Sequence, residues 1–316
     1  MQLVVGDIGG TNARFALADL ETAPPALSRF ETLRVSEFAS LEDALATYVG
    51  KLDAPPRRVV LALAIARAML PGKMPNSHWH IDPDALAADG RFPAPQIIND
   101  FEAQAHAIAA APVDAFAHVM GPRIPPADAG IISVLGPGTG LGTAIVDQRF
   151  GTARVIATEG GHIGFSPADD FEREVQARLE DDHGRVSAER VVSGPGLRAI
   201  VEVQAGADAT KLPESDAKLW TAAHAGKLPG GDAVLRRFAG AYGALAGDLA
   251  LAQGASLVVL SGGVSARLPL ALFEEAFAER FLDKGRYRPV MAKIPVYRTE
   301  LDEPGLRGAA LYAARH

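Results

Sequence analysis

Leu3-Val4-Val5-Gly6-Asp7-Ile8-Gly9-Gly10-Thr11-Asn12-Ala13-Arg14-Phe15-Ala16-Leu17 decides the fold of this 316-residue chain. An apolar run over 3–6 enters the turn-prone segment 7–12, and an alternating run over 14–20 leaves it. That pattern predicts a β-hairpin closed by a glycine-rich turn. The same order returns after a proline-rich stretch at 112–126: an apolar run over 131–135, then Gly136-Pro137-Gly138-Thr139-Gly140-Leu141-Gly142, then an alternating run over 143–147. The echo suggests two related halves.

Outward from the first hairpin, a third strand is expected near 30–35. Ser40 is placed to cap a helix over 41–51, with Glu42 and Asp43 favouring the positive end of its dipole. The β-branched run over 59–66 reads as a buried strand. Asp82-Pro83 opens a short helix that Gly90 stops. Gln96-Ile97-Ile98-Asn99 reads as a strand, with Asp100 at the mouth of a helix over 101–110. Beyond the second hairpin, helices are expected over 170–179, 196–204, 215–225, 232–252, 268–281 and 305–314, with strands over 257–260 and 294–298. Strands and helices interleaved in this way imply α/β layers. At about 150 residues per domain, the length suggests two lobes.

With 48% hydrophobic and 22% charged residues, the chain can bury a substantial core without covalent or metal staples. A net charge of -7, with Arg57-Arg58 only a short basic pair, excludes nucleic acid as a partner. The absence of cysteine removes disulfides, thiolate zinc sites, iron–sulfur clusters and thiol nucleophiles together. Any metal must then be held by oxygen or imidazole. The start Met1-Gln2-Leu3 has no basic leader, and Arg67 interrupts the longest apolar run, near 59–70. A cytoplasmic protein with no membrane partner is expected.

Glycine lets backbone N–H groups approach an anion closely, and small hydroxyls add donors, so two such turns between strands suit phosphate. Neither turn has the spacing of a P-loop or of a dinucleotide fingerprint. Either one alone reads equally as a tight hairpin turn; the pair points to phosphate. Asp7 fits a Mg2+ ligand acting through water, or a turn-stabilising aspartate. Asn99-Asp100 at a strand end can orient a hydroxyl and accept its proton, or Asp100 can cap the following helix. Thr158-Glu159-Gly160-Gly161-His162-Ile163-Gly164-Phe165 can present a carboxylate and an imidazole to a polyhydroxyl ligand. One histidine without partners at ligand spacing is a poor zinc site. Glu189 is a fourth polar contact or an ion pair with Arg190. The Ala-rich stretch 232–252 is core, or an interface.

The motifs Asp7-Ile8-Gly9-Gly10-Thr11-Asn12-Ala13-Arg14-Phe15, Ile98-Asn99-Asp100-Phe101, Gly136 to Gly142, Glu159-Gly160-Gly161-His162 and Glu189 to Gly196 occur in the order found in the bacterial glucokinase family, which the chain resembles. Ser261-Gly262-Gly263-Val264 and Pro304-Gly305-Leu306-Arg307-Gly308 extend the resemblance to nearly the whole chain. It implies an α/β, two-lobed actin-like, ribonuclease-H-like ATPase fold with an interlobe cleft. Residues 1–110 plus 301–316 would form the small domain and 111–300 the large one, with hinges near 110–112 and 300–304. It further implies Asp100 as the base for the sugar 6-hydroxyl and Asn99, Glu159, His162 and Glu189 as sugar contacts. Gly6, Asp7, Ile8, Gly9, Gly10 and Thr11 match the first ATP phosphate segment. Gly138, Thr139 and Gly140 match the second, and Gly262 and Gly263 the adenosine side.

The expected activity is ATP-dependent, Mg2+-assisted phosphorylation of glucose to glucose 6-phosphate by a homodimer. Segment 64–79 departs from the family pattern. Asn76 and Trp79 remain, but Ala66, Met69, Leu70 and Pro75 stand where Pro, Gly, Asp and Thr are expected. The segment belongs to the sugar-binding lobe, so a kinase for another hexose, or a catalytically weak sugar sensor, is the alternative.

Overall fold

The computed structural model describes residues 2–316, which divide into two units. One comprises Met1–Pro112, Val155–Ala157 and Leu301–His316; the other comprises Val113–Arg154 and Thr158–Glu300. The strands are β1 (Gln2–Ile8), β2 (Asn12–Asp19), β3 (Ala26–Arg34), β4 (Val59–Leu63), β5 (Gly72–Lys73), β6 (His80–Ile81) and β7 (Gln96–Asn99). They continue with β8 (Phe116–Met120), β9 (Ile131–Pro137), β10 (Leu141–Asp147), β11 (Arg154–Thr158), β12 (Leu257–Leu260) and β13 (Val296–Thr299).

In the first unit β1 and β2 pair antiparallel from Gln2↔Asp19 to Ile8↔Ala13, and the five-stranded sheet runs β3-β2-β1-β4-β7. β1 is apolar on both faces because it is central. Leu3 and Val5 pack with Ala103, Leu306 and Ala309 on one side, whereas Val4 and Ile8 pack with Leu41, Tyr48 and Trp79 on the other. The first side is covered by helices Asp100–Ala110 and Pro304–Arg315. Their backbones touch at Gly308, where a Cβ would run into the Ala103 carbonyl. On the second side, Ser40 accepts from Asp43 N and starts helix Leu41–Val49.

The six-stranded sheet runs β11-β10-β9-β12-β13-β8, with β8, β9, β10, β12 and β13 in the second unit, β12 parallel to β9 and β13 parallel to β12. Its antiparallel hairpin followed by parallel strands repeats the plan of the first sheet. Helix Asp232–Gln253 buries Val234, Phe238, Tyr242, Leu245 and Leu249, so the Ala-rich stretch is core of its own unit.

Two local expectations differ. The single helix over 268–281 is instead Leu270–Leu272, a widened π turn at Phe273–Phe277, and Ala278–Leu282. Phe277 there brings its carbonyl against Gly243, where any Cβ would collide. Strand β8 lies within the proline-rich stretch, at the sheet edge, where prolines on either side leave its single ladder with β13 intact. Among the described residues, no helix is long and apolar enough to cross a membrane.

Candidate active site

The parallel strands of the first unit end in register: Ile8 pairs with Leu63, and Leu63 with Asn99. The glycine turn follows Ile8, and Asp100 follows Asn99. Both therefore leave the same edge of the sheet, the carboxyl end at which open α/β sheets bind ligands. Asn99, and not Asp100, is the helix cap. Its Oδ1 accepts from Phe101 N at 2.9 Å and Glu102 N at 3.2 Å, while Glu102 reaches back to Asn99 N at 3.3 Å. This reciprocal box consumes the amide oxygen of Asn99 and leaves its NH2 as the group that can meet a hydroxyl. Asp100 is the first helical residue, half-buried, with Oδ1 also 2.9 Å from Phe101 N.

Gly6 and Ile8 lie inside β1. The Gly6 Cα faces Leu61, and the Ile8 side chain is fully buried with its carbonyl bonded to Ala64 N at 3.0 Å. Beyond the strand, Gly9 and Gly10 are half-buried and Thr11 is exposed. Gly9 N is used within the turn, on Asn12 O at 2.9 Å. Gly10 lies under the Pro75-Asn76 turn, where a Cβ would sit 2.9 Å from both carbonyls. A pocket of 720 Å³ opens beside it, lined by Gly10, Thr11, Ser36, Lys73, Asn76 and His78 among others. Segment 64–79 thus forms the wall next to the first glycine turn. Its Trp79 is a core residue, donating Nε1 to Phe38 O at 3.0 Å.

Asp7 projects from β1 opposite its ladder partner Arg14, whose Nη1 is 3.5 Å from Oδ2. The same guanidinium reaches Glu303 at 3.7 Å. Gly305, in the first turn of the last helix, lies against the carboxylate; a Cβ there would be 2.5 Å from Asp7 Cγ. Burial pushes Asp7 up to about 6, against the opposing pull of Arg14, and Glu303 adds to the rise. A cation arriving at this carboxylate would relieve that cost. No group of three or more metal-ligating side chains exists among the described residues. A single hard oxygen donor fits Mg2+ carried mainly by water and phosphate oxygens, and fits no all-protein cage. Arg14 and Gly305 had no assigned role in the sequence reading; counting residues back across the hairpin turn pairs Arg14 with Asp7.

In the second unit, the glycine turn and the Gly262-Gly263 segment meet. Ser261 N bonds Leu135 O at 2.9 Å, and a Cβ on Gly262, whose φ is 81°, would come within 2.7 Å of Pro137 O. Gly138 N closes the turn on Gly140 O at 2.8 Å. Protein atoms leave the Cβ side of Gly138 open, with nothing within 4 Å. Packing therefore does not demand glycine at that position.

Glu159, His162 and Glu189 also converge in this unit. His162 Nε2 is 3.9 Å from Glu159 Oε2. Ala188 N bonds Ile163 O at 2.8 Å and Gly164 bridges to Ser187, which seats Glu189 against the His162 loop. Glu189 Oε2 accepts from Leu141 N at 2.9 Å, so its carboxylate turns to the glycine hairpin. Burial raises the pKa of Glu159, the nearby charge of Glu189 adds to the rise, and His162 opposes it. Two carboxylates and an imidazole brought near one another form a hydrogen-bonding floor that can meet hydroxyl groups.

The sequence profile described as Glucokinase matches residues 4–316. The chain is 42% identical over 315 residues to a glucokinase of Zymomonas mobilis, covering 98% of this chain and 97% of that one. It superposes on the crystal structure of a glucokinase from an Antarctic psychrotroph with a TM-score of 0.78 at 30% identity, over 100% of this chain and 99% of that one. A ROK family glucokinase from Streptomyces griseus, crystallised with glucose and AMPPNP, gives a TM-score of 0.67 at 20% identity, with both chains fully covered.

Proposed function

The chain belongs to the glucokinase family, and from that premise we propose that it transfers the terminal phosphoryl group of ATP to the 6-hydroxyl of glucose, with Asp100 as general base. The observation that carries this reading is the shared register of Ile8, Leu63 and Asn99, which brings a phosphate-type turn and an Asn-Asp pair to one sheet edge. Asp100 takes the hydroxyl proton as the bond from O6 to phosphorus forms and the bond from phosphorus to the bridging oxygen of ADP breaks. The Asn99 NH2, Glu159, His162 and Glu189 hold the other hydroxyls, and the turn amides at Gly10, Thr11 and Thr139 face phosphate oxygens. Asp7 would hold Mg2+ through water; when bound, the ion neutralises charge on those oxygens. Most of the acceleration comes from positioning.

Substitution of the base tests the assignment. General-base catalysis is worth about 100- to 10,000-fold. Asp100→Asn should lower kcat by that order while glucose affinity, measured by calorimetry, changes by less than about fivefold. Turnover near that of the unsubstituted enzyme would remove Asp100 from the role.

A further inference from the structure

Glu189 touches two places that the proposed reading gives to different substrates. Its Oε2 accepts the Leu141 N–H at 2.9 Å, at the closing end of the second glycine turn. A Cβ on Gly140 would stand 2.6 Å from that same oxygen and 3.3 Å from Cδ. Its backbone neighbours are tied to the His162 loop through Ala188 N and Ile163 O. The residue therefore joins the His162 loop, through its backbone neighbour, to the phosphate turn, through an Oε2 committed to the Leu141 N–H.

We propose that Glu189 couples sugar binding to the phosphate turn: the glycine at position 140 exists to let this carboxylate seat, so the turn's conformation sets glucose affinity even when no nucleotide is bound. The inference rests on the reading of Glu189 as a sugar contact and of 138–140 as a phosphate turn. Coupling of this kind is reciprocal, so a bound sugar that fixes Glu189 also fixes Leu141 and the turn before it.

Two alanine substitutions in one turn separate this from the alternatives. Neither Gly138 nor Gly140 has a left-handed φ, so the backbone accepts alanine at both. At 138 the new methyl meets nothing within 4 Å; at 140 it meets the far end of a flexible side chain, which swings away and lets the protein fold. Loss of a hydrogen bond to a charged group corresponds to about 10- to 100-fold in affinity. Gly140→Ala should weaken glucose binding at least about tenfold in nucleotide-free calorimetry. Gly138→Ala should leave that constant unchanged and raise the KM for ATP. Unchanged glucose affinity in Gly140→Ala, or an equal loss in both variants, overturns the coupling. The premises fail separately: an unaltered ATP KM in Gly138→Ala removes the phosphate-turn reading, and unaltered glucose affinity in Glu189→Gln removes the sugar contact. Either result also overturns the proposal.

Discussion

Burying the Asp7 carboxylate costs the folded chain stability at neutral pH. Its side chain is 20% exposed, and burial lifts its pKa from 3.8 to about 6 despite Arg14. The folded state then binds a proton more tightly than the unfolded one. The stability this contributes is complete below about pH 4 and is lost as pH rises through about 6, an effect of about 3 kcal/mol. Denaturant unfolding across pH 4 to 8 should show that decline in the unsubstituted protein, superposed on other groups. Asp7→Asn should flatten it and stabilise the protein at pH 8 while lowering Mg2+-dependent activity. An unchanged slope in the variant would show that this carboxylate does not carry the effect. At this scale the sequence was legible in type and blurred in detail. A strand ending in Asn-Asp before a helix was readable, but which of the two residues caps depends on Glu102 reaching back to Asn99 N. Asp100 is thereby left with its carboxylate at the helix mouth.

Elements were most readable where local pattern and packing agree. Both hairpins, helix Leu41–Val49 behind its Ser40 cap, and Leu257–Leu260 follow from apolar runs bounded by turn or cap residues. Strand β8 was hidden because its prolines flank the strand rather than interrupt it. The π turn at Phe273–Phe277 was hidden because the contact that accompanies it, the Phe277 carbonyl against Gly243, lies on another helix. The pairing of helices Asp100–Ala110 and Pro304–Arg315 bears on the proposed catalysis, since the first carries Asp100, the proposed base, at its start. Gly308→Ala would press a methyl into the Ala103 carbonyl and force the two apart. Overpacking of this kind costs about 1–3 kcal/mol. The variant should melt at a lower temperature and lose kcat by more than glucose affinity. A Tm and kcat equal to those of the unsubstituted enzyme would show that the helices do not need this close approach.

Across the whole molecule, the sequence echo between the two glycine hairpins corresponds to two sheets with one plan, β3-β2-β1-β4 in the five-stranded sheet and β11-β10-β9-β12 in the six-stranded one. The echo survives in sequence because a short turn tolerates few residues, whereas the flanking helices can diverge and still cover a sheet. The proposed sugar contacts were less legible because they are far apart along the chain: the loops that carry Glu159 and Glu189 are joined by the bond from Ala188 N to Ile163 O. The divergent segment 64–79 walls the pocket beside Gly10. A site built to bond hydroxyls can discriminate against analogues lacking them by up to about 10,000- to 100,000-fold. The most direct measurement is ADP release by the purified protein with ATP, Mg2+ and each of glucose, mannose, fructose and N-acetylglucosamine, with the sugar phosphate identified. Release that depends on glucose, yields glucose 6-phosphate and far exceeds that with the other three is the predicted result. Glucose binding without ADP release, or equal kcat/KM for all four sugars, would contradict it.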